Sequence, residues 1–329
     1  MLITNIMAQD VPCLPFISKQ RRKTEPRQTV QYQWQVDLNN LPEAAQGESQ
    51  IYIQPYQIQQ MLKSMQTSQS QQQISKEKLT KTLEKIIEDD KERETPVIKS
   101  VRPNFISQFS QKLCNNPNKN VIIGISGESA SGKSTITKLI KETADNLEID
   151  IEVISADNYF RDISKLIQEY GSFEGVIDAG YDLDSPDNFY LQQLHDDIEK
   201  LENGNDVKIP QYLINGTGKS VPNAIPKKAE KVIIVEGMAV MHPPVKEVLD
   251  AEIYVDIAPE IQAERVIQRA PERNQTLEEA IKQLTYVREA AAKYILPKKD
   301  NADVIIDGGV NTENHKQIIE DLFYALSKK

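Results

Sequence analysis

The chain has 329 residues, of which 39% are hydrophobic and 27% charged, and its formal net charge is −10. That composition suits a soluble globular protein with room for two domains, or for one domain and a long extension. The charge is uneven: residues 1–100 carry 13 Lys/Arg against 12 Asp/Glu, and the other 229 carry 26 against 37. An acidic body of this kind excludes generic nucleic-acid binding, which requires a basic face.

Two cysteines, Cys13 and Cys114, lie far apart with no metal-ligand spacing, as in reduced thiols of a cytoplasmic protein. No run of about 18 apolar residues is present, so no membrane span is expected. The first residues place Arg21-Arg22-Lys23 after their apolar part, the reverse of a secretory signal.

Residues 1–50 mix Gln-rich and Pro-containing stretches without sustained period, apart from alternation over Gln31–Leu38 that suggests a strand. Gln57–Ser75 is rich in Gln and Ser, with Met61, Leu62 and Met65 at helical spacing. Ser75–Asp90 predicts an amphipathic helix with Leu79, Leu83, Ile86 and Ile87 on one stripe. Ser75 suits its N-cap, Ile74 suits a staple onto Leu79, and Thr95-Pro96 bounds it. Residues 1–100 are therefore expected to be an accessory segment, partly helical and partly disordered, and residues 101–329 the main domain.

From Val121 the chain reads strand, glycine loop, helix: Val121-Ile-Ile-Gly-Ile, then Gly127-x-x-x-x-Gly132-Lys133-Ser134, then Thr135-Ile136-x-x-Leu139-Ile140. That order is the one a phosphate-binding P-loop requires. Backbone N–H groups of Gly127, Glu128, Ser129, Ala130, Ser131, Gly132, Lys133, Ser134 and Thr135 would converge on phosphate oxygens at the positive end of a helix dipole. Lys133 adds charge for the β- and γ-phosphates of ATP, and the Ser134 hydroxyl is a Mg²⁺ ligand type.

Further strands are expected at Ile151–Ser155, Val232–Glu236, Glu252–Ile257 and Val304–Asp307, with helices at Lys133–Asn146, Asp187–Asn203, Pro259–Arg269, Leu277–Ile295 and Glu313–Leu326. This alternation predicts an α/β fold of three layers with a mainly parallel five-stranded sheet. Ligands in such folds sit outside the carboxyl ends of the strands. Asp157 follows the second strand and Glu236 ends the third, so both carboxylates should open onto the P-loop crevice. Asp157 suits a general base, or a helix N-cap, and Glu236 suits metal or water positioning.

The ordered blocks GISGESASGKST, SADNYF, YDLDSPDNF, VKIPQY, VIIVEG and YILPKKDNADVIIDGG resemble the uridine kinase and phosphoribulokinase family of P-loop kinases. The resemblance covers about residues 120–310 and nothing in residues 1–100. It implies a P-loop kinase fold, ATP and Mg²⁺, and transfer of the γ-phosphoryl group to a hydroxyl of a small molecule, a nucleoside or a sugar phosphate. It makes Asp157 the base, places Ser134, Glu236 and Asp157 near the metal, and assigns the hydroxyl-holding carboxylate to Asp184. Tyr212, Phe160 and Arg161 would line the acceptor pocket, and Arg265 and Arg273 would be lid arginines facing the nucleotide.

Departures from the family pattern stand beside these matches. Leu213 follows Tyr212, and Thr217 occupies the position of a base-reading His, while His195, His242 and His315 are placed elsewhere. Gln268 and Gln275 replace lid arginines. A competing reading is a catalytically weakened nucleotide-binding regulatory protein that uses residues 1–100 for a partner. A bare ATPase is disfavoured, because hydrolysis needs no acceptor pocket. Partners expected are the small-molecule acceptor, a second copy of the chain and a protein bound through residues 1–100, with neither nucleic acid nor membrane.

Overall fold

The computed structural model describes residues 75–327 apart from 117, 214, 215 and 274. The strand over Gln31–Leu38, the helical spacing at Met61–Met65, the Ile74 staple and Cys13 lie outside the described residues. Among those described, no helix is long and apolar enough to cross a membrane.

The sheet grows around β2 (Val121–Gly127), whose run of Val and Ile is buried on both faces, as a central parallel strand must be. Its neighbours are β6 (Val232–Glu236) and β7 (Ala251–Asp256), both parallel to it. Beyond them lie β3 (Ile151–Ser155) and β8 (Val304–Asp307), again parallel. A four-residue strand, β1 (Ile98–Val101), closes the edge antiparallel to β8, giving the order β1-β8-β7-β2-β6-β3. The sheet thus has six strands where the sequence pattern predicts five. Strand β1 follows Pro96 and is too short for its period to register.

Helix α1 spans residues 75–91 of the described chain. Its stripe Leu79, Leu83 and Ile86 is buried in one cluster with Val97 and Ile98, with Ile136 and Ile140 of α3 (Lys133–Asn146), and with Ile318, Ile319 and Phe323 of α9 (Thr312–Ser327). Asp90, fully buried, accepts hydrogen bonds from Val97 N (3.1 Å) and Ile98 N (2.7 Å), which pins β1 against α1. The division expected after residue 100 therefore runs through continuous packed structure. The apolar stripe of α1 has its burial partner on α3 and α9 of the α/β body, and separating them would expose both faces.

On the opposite face, α6 (Leu191–Glu202) lays Leu194, Ile198 and Leu201 against a second cluster containing Ile122, Ile154, Tyr159, Phe189 and Ile233. The hairpin of β4 (Val207–Tyr212) and β5 (Ser220–Lys227) joins this layer as a separate two-stranded sheet. Three further helices escape the sequence pattern: α2 (Phe105–Asn115), α4 (Ser164–Tyr170) and α5 (Phe173–Asp178). The last two are under three turns, too short to show a period. Predicted α7 (Pro259–Arg269) is found with its expected bounds. Helix α8 (Leu277–Tyr294) opens on a capping box between Thr276 and Glu279.

Candidate active site

Strand β2 delivers the glycine loop to the carboxyl edge of the sheet. Gly127 has φ 142°, and a Cβ there would meet Val255 O at 2.5 Å and Ser131 Oγ at 2.9 Å, so only glycine fits. Ala130 holds φ 62°, an unfavourable backbone well for a residue with a Cβ. Arg265 Nη1 steadies this segment by donating to Ala130 O (3.3 Å) and Ser131 O (3.1 Å), while its Nη2 donates to Gly308 O (2.8 Å). Gln262, buried on α7, donates to Ser129 O (3.0 Å) and accepts from Arg288 Nε (2.9 Å).

The loop has the shape of an anion cradle. No side chain caps α3, and its first turn carries no acid, so its leading N–H groups face outward. Ser131 Oγ is buried without a hydrogen-bond partner in the protein. Lys133 Nζ folds onto Gly127 O (2.9 Å) and Glu128 O (2.8 Å), carbonyls that an entering phosphate would replace as its partners. Burial lowers the Lys133 pKa, against the opposing charges of Asp157, Glu236 and Glu128. These features fit a nucleotide's phosphates. Among the described residues no group of three or more His, Cys, Asp or Glu could itself hold a metal ion. Mg²⁺ binding here would therefore lean on phosphate oxygens together with Ser134 and one or two carboxylates.

Asp157 sits in a one-turn 3₁₀ segment, Ala156–Tyr159, directly after β3, so its N-cap alternative gives way to a place at the cleft. Glu236 stands in register with Ser155 and Ile125 at the end of β6. A Cβ built on Gly237 would lie 3.4 Å from Asp157 Oδ1, so the Asp157 carboxylate hangs over the β6 end. By accessible surface the residue is exposed, although protein atoms, with Glu236 and Lys133 among the neighbouring charges, crowd around its carboxylate. That enclosure first, and the Glu236 charge second, push its pKa up to about 6 against the pull of Lys133. Tyr159 anchors the turn: its fully buried phenol donates to Asp197 Oδ2 at 3.1 Å.

Asp184 approaches from the loop before α6. Burial, then the charges of Asp182 and Asp157, raise its pKa to about 6. Its backbone N–H donates to Tyr286 Oη of α8 at 3.1 Å. Phe160 stacks near Phe189 and Tyr212, with ring centroids 4.0 and 5.4 Å away, and Tyr212 N donates to Asn158 Oδ1 (3.3 Å). Arg161 turns outward, donating to Asp187 O (2.7 Å) and covering the Tyr190 ring at 4.7 Å. The charges of Asp157 and Asp184 thus interact, while Phe160, three residues after Asp157, pairs with the Tyr212 ring and Arg161 lies over Tyr190.

The lid region departs from its expected orientation. Arg265 is spent on backbone carbonyls of the glycine loop. Arg269 lines a small pocket with Ser129, Ala130, Val266, Gln283 and Val287. Gln268 faces outward to Glu264 (2.9 Å). Arg273 ends a short 3₁₀ turn, and its side chain lies outside the described residues. None of the histidines enters the site: His195 pairs with Asp196, His242 with Lys298, and His315 with backbone carbonyls of Asn311 and Asp307. Thr217 is exposed in the β4–β5 turn.

Sequence reasoning missed Gln262, Arg288 and Tyr286. Gln262 had a signal, since it precedes Val266 by four residues on the buried stripe of α7, a costly place for an amide without partners. Tyr286 had none.

A mainly parallel sheet with a glycine cradle, a lysine and two carboxylates at its carboxyl edge is the arrangement of a P-loop nucleotide-binding protein. A family model described as Phosphoribulokinase / Uridine kinase family matches residues 122–314. The chain belongs to that family. Uridine kinase of Clostridium botulinum (strain Kyoto / Type A2) is 34% identical over 208 residues, covering 62% of this chain and 94% of that enzyme. Uridine kinase of Staphylococcus epidermidis (strain ATCC 12228) is 35% identical over 199 residues, covering 59% and 91%. Among solved structures, a Silicibacter chain assigned as a fructose transport system kinase aligns with TM-score 0.46 at 18% identity, over 57% of this chain and 89% of that one.

Proposed function

We propose that this protein is an ATP-dependent kinase that phosphorylates a hydroxyl of a nucleoside of the uridine or cytidine kind. What supports the reading is the electrostatic coupling of Asp157 both to Lys133 of the glycine loop and to Asp184. A nucleotide switch needs no base beside an acceptor site.

In this reading the β- and γ-phosphates lie on residues 127–135, with Lys133 drawn off its carbonyl contacts to meet them. Ser134 and Glu236 are the residues that would hold Mg²⁺, which when bound offsets the charge of the β- and γ-phosphates. Asp184 holds vicinal hydroxyls of the acceptor, and Tyr212 and Phe160 pack against its ring. Asp157, ionised near neutral pH, takes the proton of the attacking hydroxyl. That oxygen forms a bond to the γ-phosphorus as the bond to the β-bridging oxygen breaks, and ADP leaves with the bonding electrons.

Leu213 and Thr217, standing where uridine kinases carry Asp and His, make the base the least constrained part of the acceptor. A screen of nucleosides and sugar phosphates for ADP release above the no-acceptor background tests the proposal. Release with uridine or cytidine supports it, and release with sugar phosphates alone moves the acceptor class. ATP binding with a flat screen would overturn it in favour of a regulatory nucleotide-binding protein.

A further inference from the structure

Among the described residues ahead of the family match, Lys99 reaches the strand ends beside the glycine loop. Strand β1 pairs Ile98 with Ile306 and Ser100 with Ile305, so the ladder slips at Lys99. A bulge of this kind at a sheet edge re-aims the side chain it carries. Here Lys99 Nζ lands between two carboxylates at the carboxyl ends of adjacent strands: Asp256 of β7 at 2.9 Å and Asp307 of β8 at 3.0 Å. Lys299 completes the cluster at 2.7 Å from Asp256.

Both carboxylates lie one step from the glycine loop. Asp256 O accepts from Gly308 N (2.7 Å), and Asp307 Oδ1 accepts from Gly309 N (2.7 Å). A Cβ on Gly308 would collide with Ser131 O, so this backbone is pressed against the loop itself. Arg265 ties the same Gly308 carbonyl to Ala130 and Ser131. Glu128 of the loop feels the Asp256 charge as well. Removing Lys99 would leave Asp307 without this partner and Asp256 with Lys299 alone, beside Glu128 and a cradle built for a polyanion.

We infer that Lys99 is a positioning residue of the nucleotide site: it holds the β7 and β8 ends against the glycine loop and offsets their charge. The inference rests on the nucleotide reading given above. It assigns residues 75–101 a part in nucleotide binding, although they precede the family match at residues 122–314.

The test is calorimetric titration of full-length protein with ADP·Mg²⁺, alongside steady-state kinetics. Lys99→Met is expected to weaken ADP·Mg²⁺ binding about five- to tenfold, the scale of a networked, half-exposed ion pair. It should raise the ATP KM to match and leave the acceptor KM unchanged. Lys99→Arg should restore binding, and added salt should narrow the gap between Lys99→Met and parent. Lys99→Gln, polar and shorter, supplies the same reading should Lys99→Met fail to fold. Parent-like binding by either neutral variant, or an equal rise in acceptor KM, would overturn the inference alone. A parent protein that binds no ADP·Mg²⁺ would overturn the nucleotide reading itself.

Discussion

Asp157 offers a prediction whose sign is fixed by its surroundings. Its pKa stands at about 6 against an ordinary 3.8, raised by enclosure and by Glu236 and lowered by Lys133. A base must be ionised, so transfer should rise with pH through about 6, with about a tenth of the base ionised at pH 5. Glu236→Gln removes one raising charge, so the titration should move to lower pH. Lys133→Met removes the lowering charge and should move it higher. Stability carries the opposite sign. The folded pKa lies above the unfolded one, so the folded state binds more protons between pH 3.8 and about 6 and loses stability as pH rises through that window. Asp157→Asn should therefore abolish transfer yet raise the thermal midpoint at pH 7, with the gain vanishing below about pH 4. Carboxyl ¹³C titration of the nucleotide-free protein reads the ionisation directly, and melting curves at several pH values read the linkage. Asp184 also titrates near 6, so the Asp157 resonance is the one lost in Asp157→Asn; if that resonance stays in place in Glu236→Gln, the reasoning is refuted.

Three other expectations follow from single contacts. Lys133→Met should lower phosphoryl transfer by about two to three orders of magnitude, the scale of losing a preorganised charge at the reacting group, measured as kcat/KM for ATP. Tyr286→Phe removes the acceptor for Asp184 N, so the acceptor KM should rise about fivefold, one hydrogen bond's worth, with the ATP KM unmoved. Truncation to residues 102–329 strips Leu79, Leu83, Ile86, Val97 and Ile98 from the core. At about 1.5 kcal/mol or more each, that loss rivals a whole domain's stability of about 5–15 kcal/mol. The truncated chain should lose its cooperative melt, and a well-folded active fragment would contradict the packing described.

The sequence by itself determined the donor half of this protein. Glycine spacing, a β-branched strand and a helix start are local features, and phosphate binding needs only backbone N–H groups and one lysine within about ten consecutive residues. The same locality made Asp157 and Glu236 legible, since a carboxylate directly after a parallel strand must face the crevice. Tertiary structure alone decided what depends on residues far apart in the chain. It turned Arg265 onto the loop carbonyls, set Tyr286 under Asp184 and joined Gln262 to Ser129, 133 residues away. It also absorbed residues 75–101 into the core, against an apparent boundary at residue 100. An amphipathic stripe states that a helix must be buried, and only the folded body states against what. For Lys99, a one-residue slip in a four-residue edge strand set its direction, and no period in the sequence records such a slip.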